Sequence, residues 1–354
     1  MTSIEWTDET WNPTDGCAVC SAGCANCYAM RFAGRFAKLG ERYHGLVSIG
    51  KNKRAIWTGE ARLDAGKLAK PLSWRKPRRI FVNSMSDLFY EEFTNEQIAA
   101  VFGVMAACPQ HTFQVLTKRA TRMREWFRWA ATRPAGTQLL RPGHVCTTAT
   151  DSALDPFENS AVRVEFRRKV WLNTPIKWPL SNVWIGVSVE NQAAYEERVE
   201  ELLACPAAIY FLSVEPLIGP VDARQGLRRM LRTIDGRLLR NDHPDAPGIG
   251  GVWRRPVDLI IAGCESGPGA RSCAVSWLAD LRDQCADASP QVHFFLKQAT
   301  AAVWSGGRKP PEHTSGCRIS AGPGSKVKPG GVVTLPYLDG IQHTSMPSTA
   351  RRSP

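Results

Sequence analysis

Six short runs of β-branched and aromatic residues recur along the chain, each close to continuously apolar: 79–82, 112–116, 183–187, 209–212, 258–262 and 292–296. A strand with one wet face alternates apolar and polar residues, whereas a strand that is apolar throughout is buried on both faces, as in a parallel sheet covered by helices. Helical periodicity fills the intervals. Thr94 and Gln97 have the spacing of a capping box, and Ile98, Val101, Phe102 and Met105 follow on one face. Asn191 is placed to cap a helix carrying Tyr195, Val199 and Leu202, and Ser276 one carrying Leu278, Leu281 and Cys285. Tyr28, Phe32, Phe36 and Leu39 form a further apolar stripe that Gly40 ends. Strand–helix units joined by right-handed crossovers close into a barrel or wind into an open sheet. With a short strand at 10–12, the expectation is an α/β fold, a full or partial (β/α) TIM-like barrel, with an open sheet as the alternative. Segments of about 131–180 and 224–256 exceed what a βα connection needs and are rich in Pro, Gly and Arg, so they are expected to be insertions. The barrel domain is expected over 1–308, followed by a Pro/Gly-rich tail over 309–354 in which 335–338 docks.

Composition narrows the class. The 354 residues hold 45 Lys+Arg against 33 Asp+Glu, a net charge of +12, with 43% hydrophobic residues, which excludes a chain disordered throughout. No apolar run is long enough to span a bilayer, and residues 1–8 carry neither a basic start nor an apolar stretch. The expected location is the cytoplasm.

In α/β folds, chemistry collects just past the carboxyl ends of the strands. Each apolar run here ends in a polar cluster: 83–87, 117–119, 188–191, 213–216, 263–267 and 297–298. Turn and cap chemistry accounts for Ser, Asn and Asp at such places. It does not account for cations and carboxylates directly after buried strands, so Lys118, Glu215 and Lys297 are the catalytic candidates of a polar ligand-binding face.

Eleven cysteines in a long chain, odd in number, argue against a disulfide framework and for metal binding or reactivity. Cys17, Cys20, Cys24 and Cys27 are clustered; the other seven are expected to be small buried hydrophobes. Cys20-x3-Cys24-x2-Cys27 has the spacing of radical S-adenosylmethionine (radical-SAM) enzymes, in which three thiolates hold a [4Fe-4S] cluster. Structural zinc is the alternative, although three residues between two Cys-x2-Cys pairs are few for a tetrahedral site.

The motifs around these cysteines extend the reading. Residues 12–17 and 23–29, then 80–89, 113–119, 184–191, 211–217 and 265–271, with 338–340 and 346–347, together resemble the phage three-Cys-motif protein family, a domain of unknown function. That resemblance covers nearly the whole chain outside the two insertions. It implies a radical-SAM type barrel, distantly similar to spore photoproduct lyase-like proteins, and cluster ligands at Cys17, Cys24 and Cys27, with Cys20 as the alternative ligand. It further implies a [4Fe-4S] cluster and S-adenosyl-L-methionine as cofactors. Tyr28, Asn83, Ser84, Asp87, Ser188, Glu190 and Glu265 would be the cofactor-binding residues, and a three-Cys-motif partner protein a potential partner.

Ten Lys/Arg stand between Lys51 and Arg79 against two acids, with Trp57 and Trp74 interleaved, and the second insertion adds a further Arg-rich run. Cations on phosphates supply non-specific nucleic-acid affinity, and aromatics stack on unpaired bases. Lys51, Lys53, Arg54, Arg75, Lys76 and Arg78 are therefore the nucleic-acid candidates, with DNA favoured. The expected function is a radical-SAM enzyme modifying or repairing bases. The alternative is a nucleic-acid-binding or partner-binding protein whose Fe–S or zinc site is structural.

Overall fold

The computed structural model describes residues 4–132, 134–135, 138–139, 142–154, 161–172, 176–228, 230–233, 238–240, 251–254, 256–267, 269–300, 319–320, 325–328 and 332–347. They fall into two compact units, one of 4–186 with 205–208, the other of 187–204 with 209–347.

The first unit is built on β1 (Glu9–Trp11), the short β2 (Thr14–Asp15), the hairpin β3 (Val47–Ile49) and β4 (Ala55–Trp57), β5 (Arg62–Leu63), β6 (Arg79–Val82) and β7 (Thr112–Thr117). β1, β6 and β7 lie side by side and parallel, with Thr10 opposite Phe81 and Ile80 opposite Phe113. The helices are α1 (Tyr28–Ala33), α2 (Ala65–Leu68), α3 (Asn95–Ala107), α4 (Ala120–Ala131), α5 (Pro142–Ala153) and α6 (Ala161–Leu172). A small hairpin, β8 (Pro134–Ala135) and β9 (Gln138–Leu139), separates α4 from α5.

α3 starts where its sequence says it should. The Thr94 side chain accepts from the Gln97 amide, and the Gln97 side chain accepts from the Thr94 amide. From Ile98 to Ala107 every residue is buried, the mark of a helix surrounded on all sides. α4, α5 and α6 pack against it, and Phe102 stacks on Trp126 at 4.4 Å between ring centroids. The first expected insertion thus supplies two helices to this core. α5 comes close to α3 because residue 103 is glycine: a Cβ there would collide with Thr150 Oγ1 and the Cys146 carbonyl. Thr150 Oγ1 also donates to the Ala100 carbonyl at 2.7 Å, so it has little room to retreat. Gly103→Ala is accordingly expected to cost about 1–3 kcal/mol through overpacking, read as a lowered urea midpoint at constant slope. An unchanged midpoint would mean that α5 does not sit against Gly103.

β10 (Val183–Ser188) follows, with 183–186 in the first unit and 187–188 in the second. The second unit contains α7 (Gln192–Leu203), β11 (Ile209–Val214), β12 (Met230–Thr233), β13 (Leu238–Arg240), β14 (Gly251–Arg254), β15 (Leu259–Gly263), α8 (Val275–Ala286) and β16 (His293–Thr300). β11, β15 and β16 are parallel neighbours, with Leu212 opposite Ile260 and Ile260 opposite Phe294. β12, β13 and β14 make a separate antiparallel sheet from the second expected insertion. The remaining strands are β17 (Ile319–Ser320), β18 (Lys326–Lys328), β19 (Val332–Thr334), β20 (Tyr337–Leu338) and β21 (Ile341–Gln342). β19 pairs antiparallel with β16 and with β18. Asn191 caps α7 as its sequence implies, accepting from the Ala194 amide. Ser276 does not cap α8. The helix begins at Val275, two residues earlier than a Ser276 cap would start it, and Ala274 at its cap position offers no side-chain oxygen.

Mostly parallel strands alternating with helices make this an α/β fold. Among the described residues no helix is long and apolar enough to cross a membrane.

Candidate functional site

The four clustered cysteines occupy a loop of the first unit that is pinned at several points. Asp15, at the loop's entrance and almost fully buried, is held by Arg42 at 2.7 Å and Lys67 at 2.8 Å. Where the loop enters α1, the Tyr28 hydroxyl donates to the Ser84 carbonyl at 2.6 Å, just beyond the carboxyl end of β6. On the other side, Arg54 of the β3–β4 hairpin donates to the Ala25 carbonyl at 2.7 Å.

Within the loop, Cys20 Sγ and Cys24 Sγ stand 3.9 Å apart. Arg119, reached from the end of β7, brings Nη1 to 3.8 Å from both Cys17 Sγ and Cys20 Sγ, while its Nη2 donates to the Ala18 carbonyl at 3.1 Å. Arg119 is itself buried. Asp87 at 3.4 Å, Glu91 at 2.8 Å and the face of Tyr90 at 4.6 Å hold it. Asp87 is fully engaged: it accepts from Thr117 Oγ1 at 2.6 Å, from the Phe89 amide at 3.0 Å and from the Lys118 amide at 2.9 Å.

These surroundings separate the thiols. Cys24 is lowered to about 5, first by the hydrogen bond with Cys20 and then, against the opposing effect of burial, by backbone donors and the Lys118 charge. Cys17 is pushed up to about 12 by burial and the nearby Asp87 charge, which together outweigh Arg119. Burial also raises Cys27. The surroundings thus favour the thiolate at Cys24 and the thiol form at Cys17 and Cys27.

This arrangement overturns the metal expectation. Among the described residues, no group of three or more His, Cys, Asp or Glu side chains is placed to hold a metal ion. Cys17, Cys24 and Cys27 are therefore not a cluster-binding triad, and exchanging Cys17 for Cys20 does not make one. The physical reason lies in the neighbours: a fixed guanidinium donates toward two of the sulfurs, where it repels a metal cation, and Cys20 and Cys24 are engaged with each other. The residues do not fit a [4Fe-4S] cluster or structural zinc. S-adenosylmethionine, which the open iron of such a cluster would have held, and radical-SAM catalysis fall with it.

The residues expected to bind cofactor are placed as follows. In the first unit, Ser84 Oγ donates to Asn12 Oδ1 at 3.1 Å, and Tyr28 and Asp87 are engaged as above. Asn83 differs. It is buried, its φ of 60° lies in the left-handed region, and neither polar atom of its amide has a hydrogen-bond partner.

In the second unit, the strand-end clusters at β11, β15 and β16 meet. Glu215 pairs with Lys297 at 3.1 Å, and glycine at 263 leaves room for the Glu215 carboxylate. Glu265 takes Arg271 in a fork at 2.6 and 2.9 Å, and this pairing raises the guanidinium. Glu190 is tied to Arg198 at 2.9 Å with both side chains almost fully buried, and the same Nη1 donates to the Ser188 carbonyl at 3.0 Å. The expected ribose-binding carboxylate is thus half of a buried ion pair. Sequence reasoning missed Arg198, yet a signal existed: it shares the apolar face of α7 with Tyr195, Val199 and Leu202. It also missed Asp15, for which sequence offers no cue.

The basic run is divided by the fold. Lys51, Lys53 and Arg54 are exposed on the hairpin tied to the cysteine loop. Arg75, Lys76 and Arg78 precede β6 at its amino end, where Arg78 pairs with Glu9 at 3.0 Å and lies over Trp74 at 5.1 Å. Trp57 is buried rather than available for stacking. Arg229 and Arg237 of the second insertion lie outside the described residues, as does Cys317. The six other scattered cysteines, at 108, 146, 205, 264, 273 and 285, are all buried.

The resemblance to the three-Cys-motif family and its radical-SAM relatives does not stand. Its central element, a thiolate metal centre, is missing among the described residues, and the matching family carries no such assignment. No curated protein and no solved structure matches the chain. A family model does, over residues 1–346, and the chain therefore belongs to the family described as Protein of unknown function (DUF5131).

Proposed function

We propose that the first unit binds single-stranded nucleic acid through the face formed by α1 and the β3–β4 hairpin. The observation that carries this reading is a row of exposed aromatics among cations. Tyr28, Phe32 and Phe36 are 51%, 43% and 44% exposed at a spacing of four residues, with Phe32 and Phe36 at 5.3 Å between centroids. Ile49 and Ile56 on the hairpin are exposed beside them. Over residues 28–58 there are seven Lys/Arg (31, 35, 38, 42, 51, 53, 54) and one acid, Glu41, a balance of 7 − 1 = +6. Large apolar rings left in water cost free energy unless something covers them. Unpaired bases do so by stacking, worth about 1–3 kcal/mol per base, while cations neutralise the phosphates between them. An intact duplex hides its base faces and offers only the second interaction, so single strands are the preferred ligand.

The test is fluorescence anisotropy with labelled single-stranded DNA, single-stranded RNA and duplex DNA across a salt titration. Single strands should bind more tightly than duplex. Phe32→Ala should weaken binding by about 1–3 kcal/mol. Lys51→Gln with Lys53→Gln should flatten the log–log salt slope by about 1.4, at about 0.7 for each phosphate no longer neutralised. Both lysines are exposed, so the fold is unaffected. Absence of binding at low ionic strength, or tighter binding of duplex, would overturn the reading.

A further inference from the structure

We propose that Cys20 and Cys24 form a reversible dithiol–disulfide site that exchanges with low-molecular-weight disulfides, a property separate from nucleic-acid binding and independent of it. The two sulfurs already face each other at 3.9 Å, and the loop between them is turned by backbone bonds from Cys24 to Ser21 and from Ala25 to Ala22. Cys20 is exposed and Cys24 half-buried, so a small disulfide can reach the pair. Ser21 Oγ lies 3.9 Å from Cys24 Sγ, and Arg119 Nη1 lies 3.8 Å from Cys20 Sγ, so a polar group attends each sulfur.

The exchange balances as two displacements. Cys24 thiolate attacks one sulfur of the incoming disulfide; a Cys24–S bond forms, the original S–S bond breaks and one small thiolate leaves. Cys20 gives up its proton to that thiolate, attacks Cys24 Sγ and expels the second small thiolate, closing the Cys20–Cys24 bond. The pair is oxidised by two electrons and the small disulfide is reduced to two thiols. Excess small thiol runs the sequence backwards. Arg119, beside Cys20, stabilises the second attacking thiolate. The lowered ionisation of Cys24 agrees with its role as first nucleophile, and the raised one of Cys17 with its exclusion.

The roles are tested on the full chain equilibrated with oxidised and reduced glutathione, alkylated at low pH and mapped by peptide mass spectrometry. The expected product is a peptide containing Cys20 and Cys24 that has lost two hydrogens, restored by excess reduced glutathione. Cys20→Ser should trap glutathione on Cys24 as a lasting mixed disulfide. Cys24→Ser should leave Cys20 unmodified, and Cys17→Ser should leave the bond unchanged. Cys20 is exposed, so its replacement does not disturb folding. Persistence of glutathione on Cys24 in the unaltered chain, bonding of Cys24 to Cys17, or both thiols remaining free in oxidised glutathione would each overturn the assignment.

Discussion

Replacing Glu190 by alanine is expected to destabilise the protein by about 3–5 kcal/mol, the usual cost of breaking a buried ion pair by removing one partner. The carboxylate and the Arg198 guanidinium are 2% and 3% exposed, so the stranded cation would have no water to turn to. Arg198 has little else to rely on. Its Nε already lacks a partner, its Nη2 reaches only the exposed Glu197 at 3.6 Å, and its Nη1 would keep just the Ser188 carbonyl. Urea unfolding monitored at constant slope measures the effect. Replacing the pair together, Glu190→Leu with Arg198→Met, should cost far less than the single change, because it leaves no unpaired charge behind. A single-variant loss under about 1 kcal/mol would place the pair at a wetter site than its burial indicates.

Asp87→Ala is the second large effect, expected toward the lower end of the same range of about 3–5 kcal/mol. One carboxylate satisfies the Thr117 hydroxyl and the amides of Phe89 and Lys118, and faces Arg119. Arg119 would keep Glu91, which softens the loss, but the other donors would be left in the interior. The change also reaches the thiols. The Asp87 charge helps to raise Cys17, so its removal lets Cys17 ionise more readily. Alkylation of Cys17 at neutral pH should therefore accelerate, which a purely structural loss at Asp87 would not single out. If stability falls while Cys17 reactivity stays fixed, the electrostatic link between Asp87 and the loop is absent.

What was legible in the chain is whatever a short window of sequence can carry. Runs such as Ile80-Phe81-Val82 and Leu259-Ile260-Ile261 are apolar on both faces, and they form strands buried on both faces. Thr94 with Gln97, and Asn191, announce helix starts because a capping side chain bonds to amides only two or three residues away. Ser276 misled for a matching reason: the cap preference of a residue says nothing of a helix that starts without a side-chain cap, here at Ala274, two positions earlier. Residue type after each strand was equally readable, and it located Glu215, Glu265 and Lys297 where polar groups do gather.

Tertiary structure alone decided which of those charges meet. Asp87 finds Arg119 across 32 residues and Lys297 finds Glu215 across 82, and no local pattern encodes partners that only strand order brings together. It also decided that the first insertion would be core, since α5 depends on a missing side chain at Gly103. The basic run read as one strip in sequence, yet the chain passes from one end of β6 to the other within it. The cysteine spacing was plain, but spacing fixes only how near the thiols can come. Their chemistry depends on what stands beside them, and Arg119, more than a hundred residues from Cys17 in sequence, brings its fixed positive charge there only through the fold.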